Sequence, residues 1–310
     1  MRATSVIFLI LSVILAMIGV MTCAIGANLA EEEGIALFDQ VADAENNLVY
    51  TYNYTGDGIK KIAIDVGTAE VHIYGGSDSA YIEMINFPKS AYDLSSSNMT
   101  LSVVDNSSLL KILSLGTDGL NFHGFRHYLK AFNFADKQRV INIYVTEDSA
   151  IKQFDLTLET GSLYMQDIRH TFDLTAELKE GNVHLSNLAT SSDLTLRLES
   201  GSLQTEAIST RSLTIEAGLA DLELKQTYFA RGLNIRVVEG DVAFDTLLSN
   251  FSGYITDLQA PQGEIDFFGM PCDSAYTDAD NDDEAYTVSI MALKGDITVT
   301  HTPSPDEAGE

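Results

Sequence analysis

Tryptophan is absent from these 310 residues, and cysteine occurs twice. Without tryptophan the chain has no indole to stack on sugar rings. The two cysteines, Cys23 and Cys272, supply neither an intramolecular disulfide framework nor a cysteine-rich zinc site, and Cys23 lies inside an apolar run. Basic residues are scarce: 18 Lys plus Arg stand against 45 Asp plus Glu, a net charge of −27. That balance argues against nucleic acid or an anionic bilayer as partners held by general electrostatics. It leaves cationic partners, metal ions and simple solubility open. A glycine-rich phosphate loop and a nucleophile elbow are missing too.

What the chain does have begins with "VIFLILSVILAMIGVMTCAI", Val6 to Ile25, a stretch without charge that follows Arg2. It is long enough to cross a bilayer as a helix. Arg2 before it and Glu31, Glu32 and Glu33 after it orient the N-terminus toward the cytoplasm and the remainder outside. A cleaved signal peptide ending among Ala24, Gly26 and Ala27, and a lipid on Cys23, are the competing readings. The apolar region is longer than the ~7–15 residues of a signal peptide. Thr22 and Met21 are larger than the residues that precede a lipidated cysteine. All three readings export the rest of the chain.

Beyond a tether at residues 28–58, apolar and polar residues alternate on both sides of recurring glycine turns. Gly161, Gly181 and Gly201 are spaced by twenty residues, and related turns fall near 220, 240, 263 and 295. Before them stand Phe154, Leu156 and Leu158, then Leu174, Ala176 and Leu178, then Leu194, Leu196 and Leu198; after them come Leu163 and Met165, Val183 and Leu185. Alternation with period two means two short strands per repeat, each with one buried face. A fixed twenty-residue period means that repeats stack. The outward positions agree, since Glu177, Arg197, Glu216 and Arg236 form one column of alternating sign and Glu159, Lys179 and Glu199 another. In parallel strands such neighbours lie ~4.8 Å apart, where alternating charge is favourable.

The predicted fold class is therefore all-β: a parallel β-solenoid of ~20-residue coils, right-handed as parallel crossovers are, preceded by one transmembrane helix. Residues 1–27 form the anchor or signal segment, 59–302 the solenoid, and 303–310 a disordered tail. Insertions interrupt the solenoid at 86–138 and 273–286.

The N-terminal apolar segment, the "IDVGTAEVHI" opening, the "INIYV" strand at 141–145 and the recurring Gly-[Ser/Asn/Asp/Glu]-[Leu/Val/Ile] turns carry a resemblance. Over about residues 60–302 the chain resembles the bacterial putative-adhesin family of membrane-anchored β-strand-repeat proteins, a domain of unknown function. The resemblance implies an exported, envelope-associated β-solenoid, with adhesion or envelope-stress sensing as its roles and no catalytic residues to carry over.

The insertions hold the candidate sites. Asp278, Asp280 and Asp282 reproduce the first ligand spacings of a calcium loop and Glu284 adds a carboxylate, but Asp283 stands where glycine is expected and Ser289 where glutamate is. The competing reading is a solvated acidic loop. Phe122, Phe125, Leu129 and Phe132 fall on one face of a short amphipathic helix, with Arg126 and Lys130 toward the other. Such a helix would cap the first coil or dock on a membrane or protein partner through these six residues. His123 and His127 have helical metal-ligand spacing but no third ligand nearby in sequence. With Thr175, Thr195 and Thr214 beside a charge ladder, the outward columns read as solvated sheet rather than a catalytic groove. The chain reads as a non-catalytic interaction protein without a cofactor. A sensor or regulatory ectodomain acting on a membrane partner is the alternative, and a polysaccharide-active β-helix enzyme the remote one.

Overall fold

A computed structural model of the chain describes residues 49–55, 57–87, 92–105, 138–248, 251, 253–278 and 286–302. The apolar run at 6–25, the predicted helix of the first insertion and the predicted tail at 303–310 lie outside these residues. Among the described residues there is no helix, and none that is long and apolar enough to cross a membrane.

Six strands precede the regular repeats: β1 (Val49–Asn53), β2 (Lys61–Tyr74), β3 (Tyr81–Ile85), β4 (Tyr92–Ser97), β5 (Thr100–Asp105) and β6 (Val140–Tyr144). The repeats themselves are β7 (Gln153–Gln166), β8 (Asp173–Ala189), β9 (Asp193–Glu239) and β10 (Val242–Thr246). The C-terminal part adds β11 (Tyr254–Gln259), β12 (Ile265–Phe267), β13 (Met270–Cys272), β14 (Ala275–Asp278), β15 (Tyr286–Lys294) and β16 (Ile297–His301). All belong to one long sheet that does not close on itself, and its repeats pair in parallel.

The twenty-residue period is the pairing register. Phe154 lies opposite Leu174 and Met165 opposite Leu185, and the next step sets Leu174 opposite Leu194 and Leu185 opposite Thr205. Inward residues of successive repeats thus stack on their equivalents, and Phe154, Leu174 and Leu194 are all fully enclosed. Each such leucine contributes ~2 kcal/mol by leaving water. Where the inward column turns polar, the hydroxyls find partners: Thr246 Oγ1 donates to the Thr227 carbonyl at 3.1 Å, and the hydroxyls of Thr205 and Thr227 meet at 3.4 Å.

Two corners shape each repeat. At the first, Gly161, Gly181 and Gly201 adopt φ of 146°, 152° and 136°. Neighbouring repeats approach so closely there that a Cβ on Gly181 would sit 1.6 Å from the Gly161 carbonyl oxygen. Only glycine fits both constraints. The second corner has no counterpart in the sequence pattern: Asp167, Asn187, Ala207 and Gln226 repeat a left-handed conformation with φ of 59°, 52°, 55° and 49°. Asp and Asn tolerate this region better than most residues, and here the Asn187 side chain also ties neighbouring repeats together, accepting from Arg169 Nη2 at 2.8 Å through Oδ1. Backbone pairing persists through both corners, so β9 runs unbroken for 47 residues where the alternation predicts separate short strands.

The ends depart from the predicted picture in three ways. First, repeats are not stacked in chain order. β5 and β6 together make the outermost repeat on one side of β2, and β7 lies on the other. At the far end, β15 and β16 insert between β9/β10 and the earlier β11/β12. Second, antiparallel strands flank both ends: β3 on β6, β1 on β3 and β4 on β5, then β14 on β11 and β13 on β12. They cover edges that would otherwise template further pairing. Third, the predicted boundaries shift. The 28–58 tether ends in strand β1, because Tyr50 and Tyr52 pack on the core. Within the 86–138 insertion, the short strand that the alternation of Leu101 and Val103 predicts is β5, with both side chains fully buried, and β4 pairs beside it. Within 273–286, residues 275–278 are strand β14.

Candidate interaction face

Each repeat shows solvent two outward surfaces, one from the strand before the glycine corner and one from the strand after it. On the first, the predicted charge ladder is present in part: it forms from Glu177 through Arg197 to Glu216 and from Glu159 to Lys179, while Arg236 and Glu199, its further predicted members, make no ion pair among the described residues. Arg197 reaches Glu177 Oε1 at 2.6 Å through Nη1 and Glu216 Oε2 at 3.1 Å through Nε, and Lys179 reaches Glu159 at 2.9 Å. Hydrogen bonds from these cations to the carboxylates hold both cations above their ordinary pKa. Lys61 pairs with Asp155 and Arg211 with Asp193, whose carboxyl is held below its ordinary range chiefly by that hydrogen bond. Basic side chains on this front surface are thus largely matched.

The rear surface is different. On its strands, residues 70–74, 81–85, 140–144, 162–166, 182–186, 202–206, 221–225, 241–245, 264–267 and 297–301, the only Lys or Arg is Lys225, which pairs with Glu223 at 2.7 Å. At one end of this surface the outward residues are aromatic. Tyr81 stacks on Tyr144 at 4.2 Å with planes 15° apart, and Tyr144 on Tyr74 at 5.2 Å. His72 stacks on Tyr164 at 4.6 Å and 10°, and Tyr164 leans toward His184 at 6.2 Å. The two rows are tied together where the Tyr74 hydroxyl meets His72 Nδ1 at 3.2 Å. His72 Nε2 lies 3.4 Å from Glu70, and Asn142 Nδ2 donates to Glu83 at 2.9 Å. Burial first, then Tyr81, Glu83 and a hydrogen bond with Tyr81, push the Tyr144 phenol up to about 12.

Toward the other end, the position after the corner becomes acidic. Asp221 Oδ1 accepts the Asp241 amide at 3.0 Å, Asp241 Oδ1 the Asp296 amide at 2.8 Å, and Asp296 Oδ1 the Glu264 amide at 2.8 Å. Stacked like charges repel. Here each carboxylate is held in the column by a charge-assisted bond from the next repeat. The aromatic rows escape a reading of the sequence because no tryptophan marks them. Their signal is the outward aromatic in "VHIY", "INIY" and "LYM", at slots that alternation defines only through their apolar neighbours.

Of the predicted calcium ligands, Asp278 ends β14 with its side chain exposed, while Asp280, Asp282 and Glu284 lie outside the described residues. So do Phe122, Phe125, Arg126, Leu129, Lys130 and Phe132, together with His123, His127 and Cys23. Among the described residues, no three His, Cys, Asp or Glu side chains converge as a metal site. Residues 106–137 connect β5 to β6, the two strands of the outermost repeat.

No curated protein matches the chain. Among solved structures it is similar to a putative cell adhesion protein from Clostridium sporogenes, at 14% identity and TM-score 0.40, over 83% of this chain and 100% of that one. A putative adhesin from Bacteroides fragilis is similar at 13% identity and TM-score 0.38, over 83% and 97% of the two chains. A putative lipid binding protein from Parabacteroides distasonis is similar at 10% identity and TM-score 0.32, over 81% and 96%. No activity follows from likeness at these levels. The family model described as Toastrack DUF4097, a domain of unknown function, matches residues 59–303, almost the whole stack from Ile59 through β16, and the chain belongs to that family.

Proposed function

We propose that the chain is an exported, adhesin-like interaction protein of the bacterial envelope, non-catalytic, in which a right-handed β-solenoid displays its outward faces to a protein partner. The observation that carries this reading is the contrast between the two faces. One interleaves lysines and arginines with its carboxylates, paired in its ladder, and the other holds aromatic, amide and carboxylate groups with a single ammonium among them. A surface of one unbalanced sign on a rigid sheet is suited to recognition. The apolar run Val6 to Ile25 supports a single-pass anchor with the C-terminal domain outside the cytoplasm.

The test is to express the full chain with a C-terminal tag and treat intact spheroplasts with protease. The reading expects the tag to be lost from intact spheroplasts, the protein to stay with membranes through high salt, and the mature chain to keep its first residues. A tag protected until lysis, or a mature N-terminus near Ala27, would overturn the anchored, outward-facing placement.

A further inference from the structure

The rear surface carries a more specific reading, which rests on the interaction role just proposed. Its tyrosines stand on edge. Tyr81, Tyr144 and Tyr74 cover one another's faces at 4.2 and 5.2 Å, and His72 and Tyr164 do the same at 4.6 Å. A sugar ring or a lipid chain needs an open aromatic face or apolar area, and stacking has consumed the faces. What remains outward is ring edges, phenol oxygens, an imidazole and the carboxylates of Glu70 and Glu83. Farther along the same surface stand Glu206, Glu223 with its partner Lys225, and the column of Asp221, Asp241 and Asp296. These groups accept hydrogen bonds and carry negative charge. Guanidinium and ammonium groups are the donors that match them, and arginine's planar fork reaches two acceptors at once. Strands ~4.8 Å apart present one outward group per step, a rigid comb along which an extended segment can lie.

We propose that the rear surface is the docking face for an arginine- and lysine-bearing extended segment of a partner protein, running across the strands from the tyrosine rows to the aspartate column. The front surface is the poorer match, because Lys61, Lys179, Arg197, Arg211, Arg231, Arg236 and Lys294 stand among its carboxylates and would repel such a segment, whereas the rear carries Lys225 alone.

The probe is fluorescein-labelled octa-arginine, titrated by anisotropy against the full chain in neutral detergent at physiological salt. Replacing Glu70, Glu83 and Glu206 by Gln removes three charges from the rear; replacing Glu159, Glu177 and Glu216 by Gln removes the same number from the front. The rear variant should lose about tenfold in affinity, the front variant less than about twofold. A Tyr74→Phe/Tyr81→Phe/Tyr144→Phe variant, which keeps the stack and removes the phenol oxygens, should lose about threefold. Carbodiimide labelling of the unaltered chain reads the same contrast without a variant: octa-arginine should protect Glu206 and Glu223 but not Glu159 and Glu177. Equal losses from both faces, equal protection, or binding of a neutral glucan hexamer that the phenylalanine variant abolishes would each overturn the docking face. None of those results touches the placement tested by protease, so the two readings fail separately.

Discussion

Asp105 and Arg139 are 34 residues apart in the chain and 2.9 Å apart in space, joining the last residue of β5 to the residue that leads into β6. Both side chains are nearly enclosed, and the guanidinium also lies 5.6 Å from the Phe87 ring centroid. Removing one member of such a pair strands the other charge, at a cost of about 3 kcal/mol. Asp105→Ala should show that loss in urea unfolding, and a loss below ~1 kcal/mol would mean that the pair does not clamp the two strands of the outermost repeat.

The glycine corner separates close approach from backbone freedom. Gly181→Ala should cost more than ~3 kcal/mol or prevent folding, because its Cβ would overlap the Gly161 carbonyl and the backbone could not relax. Gly253, with φ of 83° and open space for 4 Å around the point where a Cβ would stand, should lose only ~1 kcal/mol as alanine. Similar midpoints for the two variants in guanidinium unfolding would refute the tight stacking.

Arg197→Glu would set three acidic side chains in adjacent register, between Glu177 and Glu216. The melting temperature should fall in low salt and recover toward the parent in about 1 M salt, where such charges are screened. A fall that salt leaves unchanged would point to lost packing instead.

His170 bonds the Ile151 carbonyl at 3.0 Å through Nε2, which must carry the proton because a carbonyl only accepts. Burial, the larger cause, lowers its pKa from 6.5, while that bond opposes the shift. The unfolded chain then binds a proton first as pH drops, so His170 favours folding above pH 6.5 and loses that contribution as pH falls below it. Melting curves from about pH 8 to about pH 5 should decline more steeply for the parent than for His170→Gln; parallel curves would remove His170 as the cause.

The repeat is legible in the sequence because burial writes itself directly into alternation: spacing alone puts Phe154, Leu174 and Leu194 in one column, and they pair in that column. The Glu177–Arg197–Glu216 ladder is legible for the same reason, since register brings together residues one repeat, 19 or 20 positions, apart. The second corner is not, because Asp167, Asn187, Ala207 and Gln226 share a backbone conformation without sharing a side-chain type. Nor is the order of the terminal repeats, because Val103 beside Ile64 and Ile297 beside Val242 pair across long separations that periodicity does not encode. The tyrosine rows stay hidden because Tyr81 belongs to a flanking antiparallel strand, outside the repeat that would align it with Tyr144 and Tyr74.

The crossed order of the ends restricts how such a protein can lengthen through gene duplication. A repeat appended after His301 would find the neighbouring edge of β16 already occupied by β12, which precedes it in the chain. One added before Lys61 would meet β5 in the same way. New copies can enter only between Gln153 and Thr246, where chain order and stacking order coincide. The sheet is thus an accordion with fixed end boards, and differences in length among proteins built on this plan should be confined to its middle folds.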